Sequence, residues 1–290
     1  MSQLSEELSA KRDRLLQWLR DLGSCAVAFS GGLDSTVLAK AAQLALGDRA
    51  VAVTGVSASL AVGELDECRR LAGLIGIRHE VIETGEMSNP DYRKNAADRC
   101  YHCKTELFAQ VDKIAQDLGV AMVLDGSNRD DHAEHRPGLR AAKEQRVGSP
   151  LAECGLSKAE IRQLAVHWEL PTWDKPATPC LSSRIAYGEQ VTPERLEMID
   201  RAERFLRARG FRPLRVRYHR GDVARIEVSL EALPKLLDDQ LRRDLVEFFR
   251  TLGFKFVALD LEGFRSGSLN HLLPAESLQI AGRRVEPTQR

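Results

Sequence analysis

The sequence predicts an α/β fold, with a parallel sheet covered by helices on both faces and joined to a second, smaller α/β domain. Short apolar runs at "CAVAF" (25–29), "AVAVTGV" (50–56), "RHEVIET" (78–84) and "VAMVLDG" (120–126) alternate with helical patterns near 35–46, 62–75, 104–118 and 157–168. Strand alternating with helix calls for parallel pairing, with the crossover helices lying over the sheet. The length of 290 residues exceeds one small domain and suits two.

Taken in order, the opening stretch "MSQLSEELSAKRDRLLQWLRDLG" sets Leu4, Leu8, Leu15, Leu16, Trp18 and Leu19 among charges. It reads as an amphipathic helix and not as a signal peptide. No run approaches the roughly 20 apolar residues of a membrane span, so a cytoplasmic protein without a membrane partner is expected. With 42 basic and 42 acidic residues the net charge is zero, which leaves no global field to recruit nucleic acid. Residues 1–170 form the expected first domain. Residues 171–190 include "ELPTWDKPATPCLSSRIAYGEQ" from Pro171 onward, a proline-bearing linker without periodicity that should lie over the rim of the sheet. Residues 191–290 form the second domain, beginning with a helix capped by Thr192 with Pro193 first. Two alternating segments follow, "PLRVRYH" and "VARIEVS", then a helix near 234–252 and a strand "FKFVALD".

The chemistry starts at "AFSGGLDSTVLAK" (28–40). Consecutive backbone N–H groups in a glycine turn, followed by a helix, make an anion site. Gly31 and Gly32 permit the turn, and Ser30 and Ser35 add hydroxyls. A Walker loop would carry lysine; this one carries Asp34. That difference points to a loop that holds pyrophosphate as a leaving group while AMP is transferred, with Asp34 helping to hold Mg²⁺. The pattern S-G-G-x-D-S after a first strand is that of the PP-loop ATP pyrophosphatases.

"RCYHCK" sets Cys100 and Cys103 at a spacing that can share a metal, and Cys180 in the linker is the best placed third thiol. Three cysteines around a [4Fe–4S] cluster leave one iron open for an exogenous sulfide. A zinc site completed by His102 or His135, or a redox pair, stays an alternative. Cys25, Cys68 and Cys154 read as small buried hydrophobes. After the fourth strand, Asp125, Ser127, Asp130 and Asp131 reach the same rim, as Mg²⁺ or ribose ligands or as a solvated acidic loop; His132 and His135 read as surface residues. In the second domain the strand period places Arg215, Arg217 and His219 on one face, and Arg225 with Glu227 on one face of the next strand. Such a set suits a bound phosphate, or is the charged solvent face of a one-sided sheet.

Together "SGGLDS", "RCYHCKTELF", "DGSNRDDHAEHRPGLRAAKEQRVGSPL", "WDKPATPCLSSRI" and "LEGFRSGSLN" resemble the LarE family of ATP-dependent sulfur transferases. The resemblance implies adenylation of the carboxylates of pyridinium-3,5-biscarboxylic acid mononucleotide and their conversion to thiocarboxylates, in making the nickel-pincer nucleotide cofactor. It implies ATP bound by Ser30, Gly31, Gly32, Asp34 and Ser35, and the substrate phosphate gripped by Arg215 and Arg217 near Glu227. Because the Cys100–Cys103 pair is present, it also implies the form in which those two and Cys180 hold a [4Fe–4S] cluster reloaded by a sulfide donor. In the other form the cysteine matching Cys180 gives up its own sulfur and becomes dehydroalanine. The glycine loop alone would also fit tRNA thiolation or ammonia-dependent amidation. The family further implies a homo-oligomer, a hexamer built from trimers, with Glu203 as a contact; Arg184 is expected to touch pyrophosphate or the acyl-adenylate.

Overall fold

A computed structural model describes residues 4–132, 137–176, 178–265 and 267–272. In chain order its elements are α1 (Glu6–Leu22), β1 (Cys25–Ala28), α2 (Leu33–Leu46), β2 (Ala50–Val56), α3 (Glu64–Ile75), β3 (Arg78–Glu83), α4 (Pro90–Arg93), α5 (Arg99–Asp117), β4 (Met122–Leu124), α6 (Arg129–His132), α7 (Pro137–Glu144), α8 (Pro150–Glu153) and α9 (Lys158–His167). After a connecting stretch come α10 (Pro193–Arg207), β5 (Leu214–His219), β6 (Val223–Val228), α11 (Leu233–Leu236), α12 (Asp239–Thr251) and β7 (Phe256–Leu259).

The first sheet is wholly parallel in the order β3-β2-β1-β4. Its two faces alternate residue by residue. Cys25, Val27, Ala50, Ala52 and Leu124 pack under α1, α2, α3 and α9, whereas Ala26, Ala28, Val51, Val53 and Val123 pack under α5 and α7. Both faces are therefore dry, as a run such as "AVAVTGV" requires. The second sheet is mixed, with β5 antiparallel to β6 and β6 parallel to β7, and has its own core against α10 and α12. Among the described residues no helix is long and apolar enough to cross a membrane.

Several elements depart from the sequence reading. α5 starts at Arg99 rather than near 104, so Cys100 and Cys103 ride on its first two turns. The expected helix over 234–252 is two helices, because the Asp238 carboxylate accepts from Leu241 N (2.9 Å) and starts α12 afresh. The acidic loop after β4 contains the short α6. Thr192 caps α10 as expected, accepting from Arg195 N at 3.3 Å.

Candidate active site

The glycine turn leaves β1 at the carboxyl end of the sheet and opens α2. Gly31 has φ +63°, and a Cβ there would lie 3.0 Å from Cys68 Sγ; the left-handed backbone and the tight packing both demand glycine. Ser35 Oγ lies 3.3 Å from Ser30 N and 3.2 Å from Ser30 Oγ, closing the turn. Thr36 Oγ1 donates to Gly32 O at 2.7 Å. The loop after β4 presses on the same turn, since a Cβ on Gly126 would meet Ser35 N at 2.9 Å.

Asp34 pairs with Lys158 at the start of α9, while Asn128 Nδ2 approaches its other oxygen at 3.4 Å. A second lysine, Lys175, donates to Gly31 O at 3.1 Å and lies 3.4 Å from Glu64 Oε2. The sequence pattern shows a loop without lysine and gives no sign of either, because each arrives from more than a hundred residues away. The acidic loop is largely internal scaffolding. Asp125 accepts from Ser127 Oγ (2.7 Å) and Ser149 Oγ (2.8 Å), and Asp130 accepts from Lys158 N (2.8 Å). His135 lies outside the described residues, as does the side chain of His132.

The three thiols share one neighbourhood. Cys100 and Cys180 are exposed and Cys103 is half-buried. Burial, the Cys180 thiol, Glu86 and Cys100 together push the Cys103 thiol well above its ordinary range. The buried Arg99 stands beside them, its Nη2 4.0 Å from Cys100 Sγ. Burial works against its charge, but Cys100 and Cys180 reinforce it. Glu86 is buried with one carboxylate oxygen, Oε2, lacking a hydrogen bond. In number and donor chemistry the thiols suit a cubane cluster; among the described residues, however, no three His, Cys, Asp or Glu side chains are gathered into a metal-binding set. His102 sits beside Asp98 at 3.4 Å. Cys25, Cys68 and Cys154 are buried, and burial alone pushes the Cys25 thiol up to about 12.

Beside the Cys180 segment lies a cavity of about 120 Å³ whose lining includes four arginines, Arg99, Arg215, Arg217 and Arg265, together with Pro179, Ser183, Tyr187 and Phe264. The register sets Arg215 opposite Glu227 and Arg217 opposite Arg225. This face is not a solvent face: Arg217 is 5% exposed and Glu227 is 0% exposed. Arg217 Nε and Nη2 reach Glu227 Oε2 at 3.0 and 2.8 Å, and Arg225 Nη1 lies 3.0 Å from Oε1. Ser268, from "LEGFRSGSLN", donates to the same carboxylate. Burial first, then Arg184 and Arg217, push Arg215 down to about 10, against Glu203 and Glu227. Arg99 and Arg265 lie inside the stretches "RCYHCKTELF" and "LEGFRSGSLN" that carry the family resemblance, but no spacing assigns either a role; Arg265 lies five residues beyond Asp260, and Arg99 on another sheet's helix.

Two expectations are corrected. Arg184 does not face the cavity; it is 1% exposed and fully engaged, with Nε on Glu203 Oε1 (3.1 Å) and Nη1 on Cys180 O (2.9 Å). Glu203 is 0% exposed and accepts from Arg184, Arg207 and Val216 N, so it has no surface with which to meet a neighbouring subunit.

Comparison with known proteins fits this geometry. The chain is 36% identical over 274 residues to the pyridinium-3,5-bisthiocarboxylic acid mononucleotide synthase of Lactiplantibacillus plantarum, covering 93% of this chain and 98% of that one. It belongs to the LarE family of PP-loop ATP pyrophosphatases. A Synechocystis protein of unassigned function is 46% identical over 266 residues, 92% of this chain and 99% of its own. A component of the glutamine-hydrolyzing GMP synthase from Archaeoglobus fulgidus is 26% identical over 205 residues, 63% of this chain and 64% of that one; the shared portion reflects the nucleotide fold common to LarE proteins and these ligases. No protein-family model matches the chain.

Proposed function

We propose that this LarE homologue is an ATP-dependent sulfur transferase that converts the carboxylates of pyridinium-3,5-biscarboxylic acid mononucleotide to thiocarboxylates in nickel-pincer nucleotide biosynthesis. One observation carries the reading. The segment 175–184 touches the phosphate loop through Lys175, bears Cys180, and meets the arginine cavity where Arg217 Nη1 donates to Ser183 O at 3.0 Å. Phosphate loop, thiol and anion pocket thus share one stretch of chain.

In this reading Ser30, Gly31, Gly32 and Ser35 hold the ATP phosphates, and Asp34 turns to Mg²⁺. A substrate carboxylate attacks the α-phosphorus, pyrophosphate leaves, and an acyl-adenylate forms. Sulfur then attacks the activated carbonyl, the C–S bond forms and AMP departs; a second round completes the product. Arg215 and Arg217, oriented by Glu227, grip the nucleotide phosphate, and a bidentate guanidinium matches that geometry. Cys100, Cys103 and Cys180 would hold a [4Fe–4S] cluster, which when bound supplies a replaceable sulfide. That the three thiols are not gathered into a metal-binding set among the described residues favours a second reading, in which Cys180 alone surrenders its sulfur. A hexamer and a division of labour between residues 1–170 and 191–290 belong to the same proposal.

The test is incubation with ATP, Mg²⁺ and the dicarboxylate nucleotide. Native protein should release pyrophosphate and AMP and form thiocarboxylate. Cys180→Ser should still release pyrophosphate but form no thiocarboxylate; thiocarboxylate from that variant would refute the role of Cys180, and amide formed with ammonia would mark a ligase.

A further inference from the structure

Arg99 is a buried cation without a counter-ion. Its side chain lines the arginine cavity, yet the residue is only 5% exposed. Neighbouring arginines are paired, Arg184 with Glu203, Arg217 with Glu227, and Arg265 with Asp260 and Glu262. Among the described residues Arg99 has no such carboxylate. Its Nη1 donates to Asn95 Oδ1 and to Ser182 O (2.8 Å), both neutral, and Nη2 keeps only the long contact to Cys100 Sγ. A guanidinium carries five N–H groups, so these contacts leave donors over. Burial works against the charge, and the groups that favour it most are the Cys100 and Cys180 thiols, then the Tyr187 and Tyr92 phenols, none of them a carboxylate. A buried charge with no opposite charge beside it is strongly destabilising. The position therefore calls for an anion that arrives with a ligand.

We propose that Arg99 is a substrate-binding residue that sets specificity: its guanidinium holds the ring carboxylate that is not reacting while the other is adenylated and converted to thiocarboxylate. The proposal rests on the reading of the substrate as a pyridinium dicarboxylate mononucleotide. Charge selects the carboxylate that stands by. Adenylation turns the reacting group into a mixed anhydride whose carbonyl is uncharged, so it offers no lasting counter-ion, whereas the second carboxylate stays anionic throughout. In the second round its place is taken by the thiocarboxylate already formed, which is also a monoanion, so one cation serves both rounds. Position agrees with this role. Arg99 Nη1 and Arg217 Nη1 donate to the consecutive carbonyls of Ser182 and Ser183, and Arg99 also approaches the Cys100 thiol. The guanidinium thus stands between the phosphate grip and the sulfur, where the ring carboxylates must lie.

The test is calorimetry without ATP on the full chain, with two probes that share phosphate, ribose and ring: pyridinium-3,5-biscarboxylic acid mononucleotide and pyridinium-3-carboxylic acid mononucleotide. A charge-assisted contact to the extra carboxylate should make the native chain bind the dicarboxylate roughly ten- to a hundredfold more tightly. Arg99→Met should abolish that preference while binding the monocarboxylate with near-native affinity, and Arg99→Lys should keep part of the preference. Arg217→Lys should weaken both nucleotides alike. Equal affinity of the native chain for the two probes would overturn the proposal without any variant. An Arg99→Met chain that keeps the native preference would overturn it as well. So would an equal loss of both nucleotides in Arg99→Met and Arg99→Lys, because Arg99 would then only brace the Cys180 segment through Asn95 and Ser182. A native chain that binds neither nucleotide would instead refute the substrate reading itself, and this inference with it.

Discussion

Gly126 has no room for a side chain. An added Cβ would lie 2.9 Å from Ser35 N and 3.1 Å from the carbonyl carbon of Asp34, and backbone cannot yield as a side-chain tip can. Gly126→Ala should therefore displace the start of α2 and abolish measurable ATP binding by calorimetry while circular dichroism stays native. Glu203 makes the opposite kind of prediction. It is a buried charge held by Arg184, Arg207 and a strand N–H, and removing one partner of a buried pair costs about 3–5 kcal/mol. Glu203→Ala should lower the urea midpoint accordingly and loosen the Cys180 segment that Arg184 holds. At this scale the sequence is legible where function is contiguous. "SGGLDS" and the Cys100–Cys103 pair can be read from spacing alone, and the alternation of β5 puts Arg215 and Arg217 on one face. Arg99, Lys175 and Arg265 lie inside the stretches that carry the family resemblance and Lys158 does not, but no spacing gives any of the four a role, since only tertiary folding brings them to the site; Arg184 misleads because an arginine near a reactive cysteine looks the same whether it faces ligand or core.

Elements show why strands are easier to read than helix ends. Strand alternation is a strict period of two, so the faces of β5 and β6 follow from the sequence. The start of α5 is obscured because Arg99-Cys-Tyr-His-Cys holds aromatic and thiol residues of modest helix propensity, and Asp98 makes no side-chain cap bond. Two strand histidines carry a pH signature. Burial, then Arg69, lowers the His79 pKa below 6.5, and burial, then Arg225 and Arg217, lowers that of His219. Among described groups, Glu80 opposes the shift at His79, while Glu227 and Asp260 oppose it at His219. Each imidazole is thus neutral in the fold, so the unfolded chain binds more protons below the ordinary value. Stability is fully present above about pH 6.5 and declines as pH falls through the depressed folded values. The thermal midpoint should fall between pH 7 and pH 5, and His79→Gln should flatten that slope; an unchanged slope in this variant would assign the acid sensitivity elsewhere.

Across the whole molecule, the parallel sheet is legible from strand and helix alternation, and the second sheet from its own shorter pattern. The path of residues 175–184 between them is not, because a linker without periodicity carries no signal of what it touches. That path is what joins phosphate loop, thiols and arginine cavity. The anion pocket gives a molecule-scale prediction: Arg217→Lys should raise KM for the dicarboxylate nucleotide at least about tenfold with KM for ATP unchanged, and a parallel rise in both would mean that the two sites are not separate.

The cluster form of the proposed chemistry stands or falls on whether the three thiols jointly hold the transferable sulfur. Iron and acid-labile sulfide should be counted, with an absorption spectrum, on protein reconstituted without oxygen, for the native chain and for Cys100→Ala. About four irons per native chain are expected, with their loss in the variant. No iron in either protein, with dehydroalanine at position 180 after turnover, would refute the cluster and leave Cys180 as a sacrificial donor.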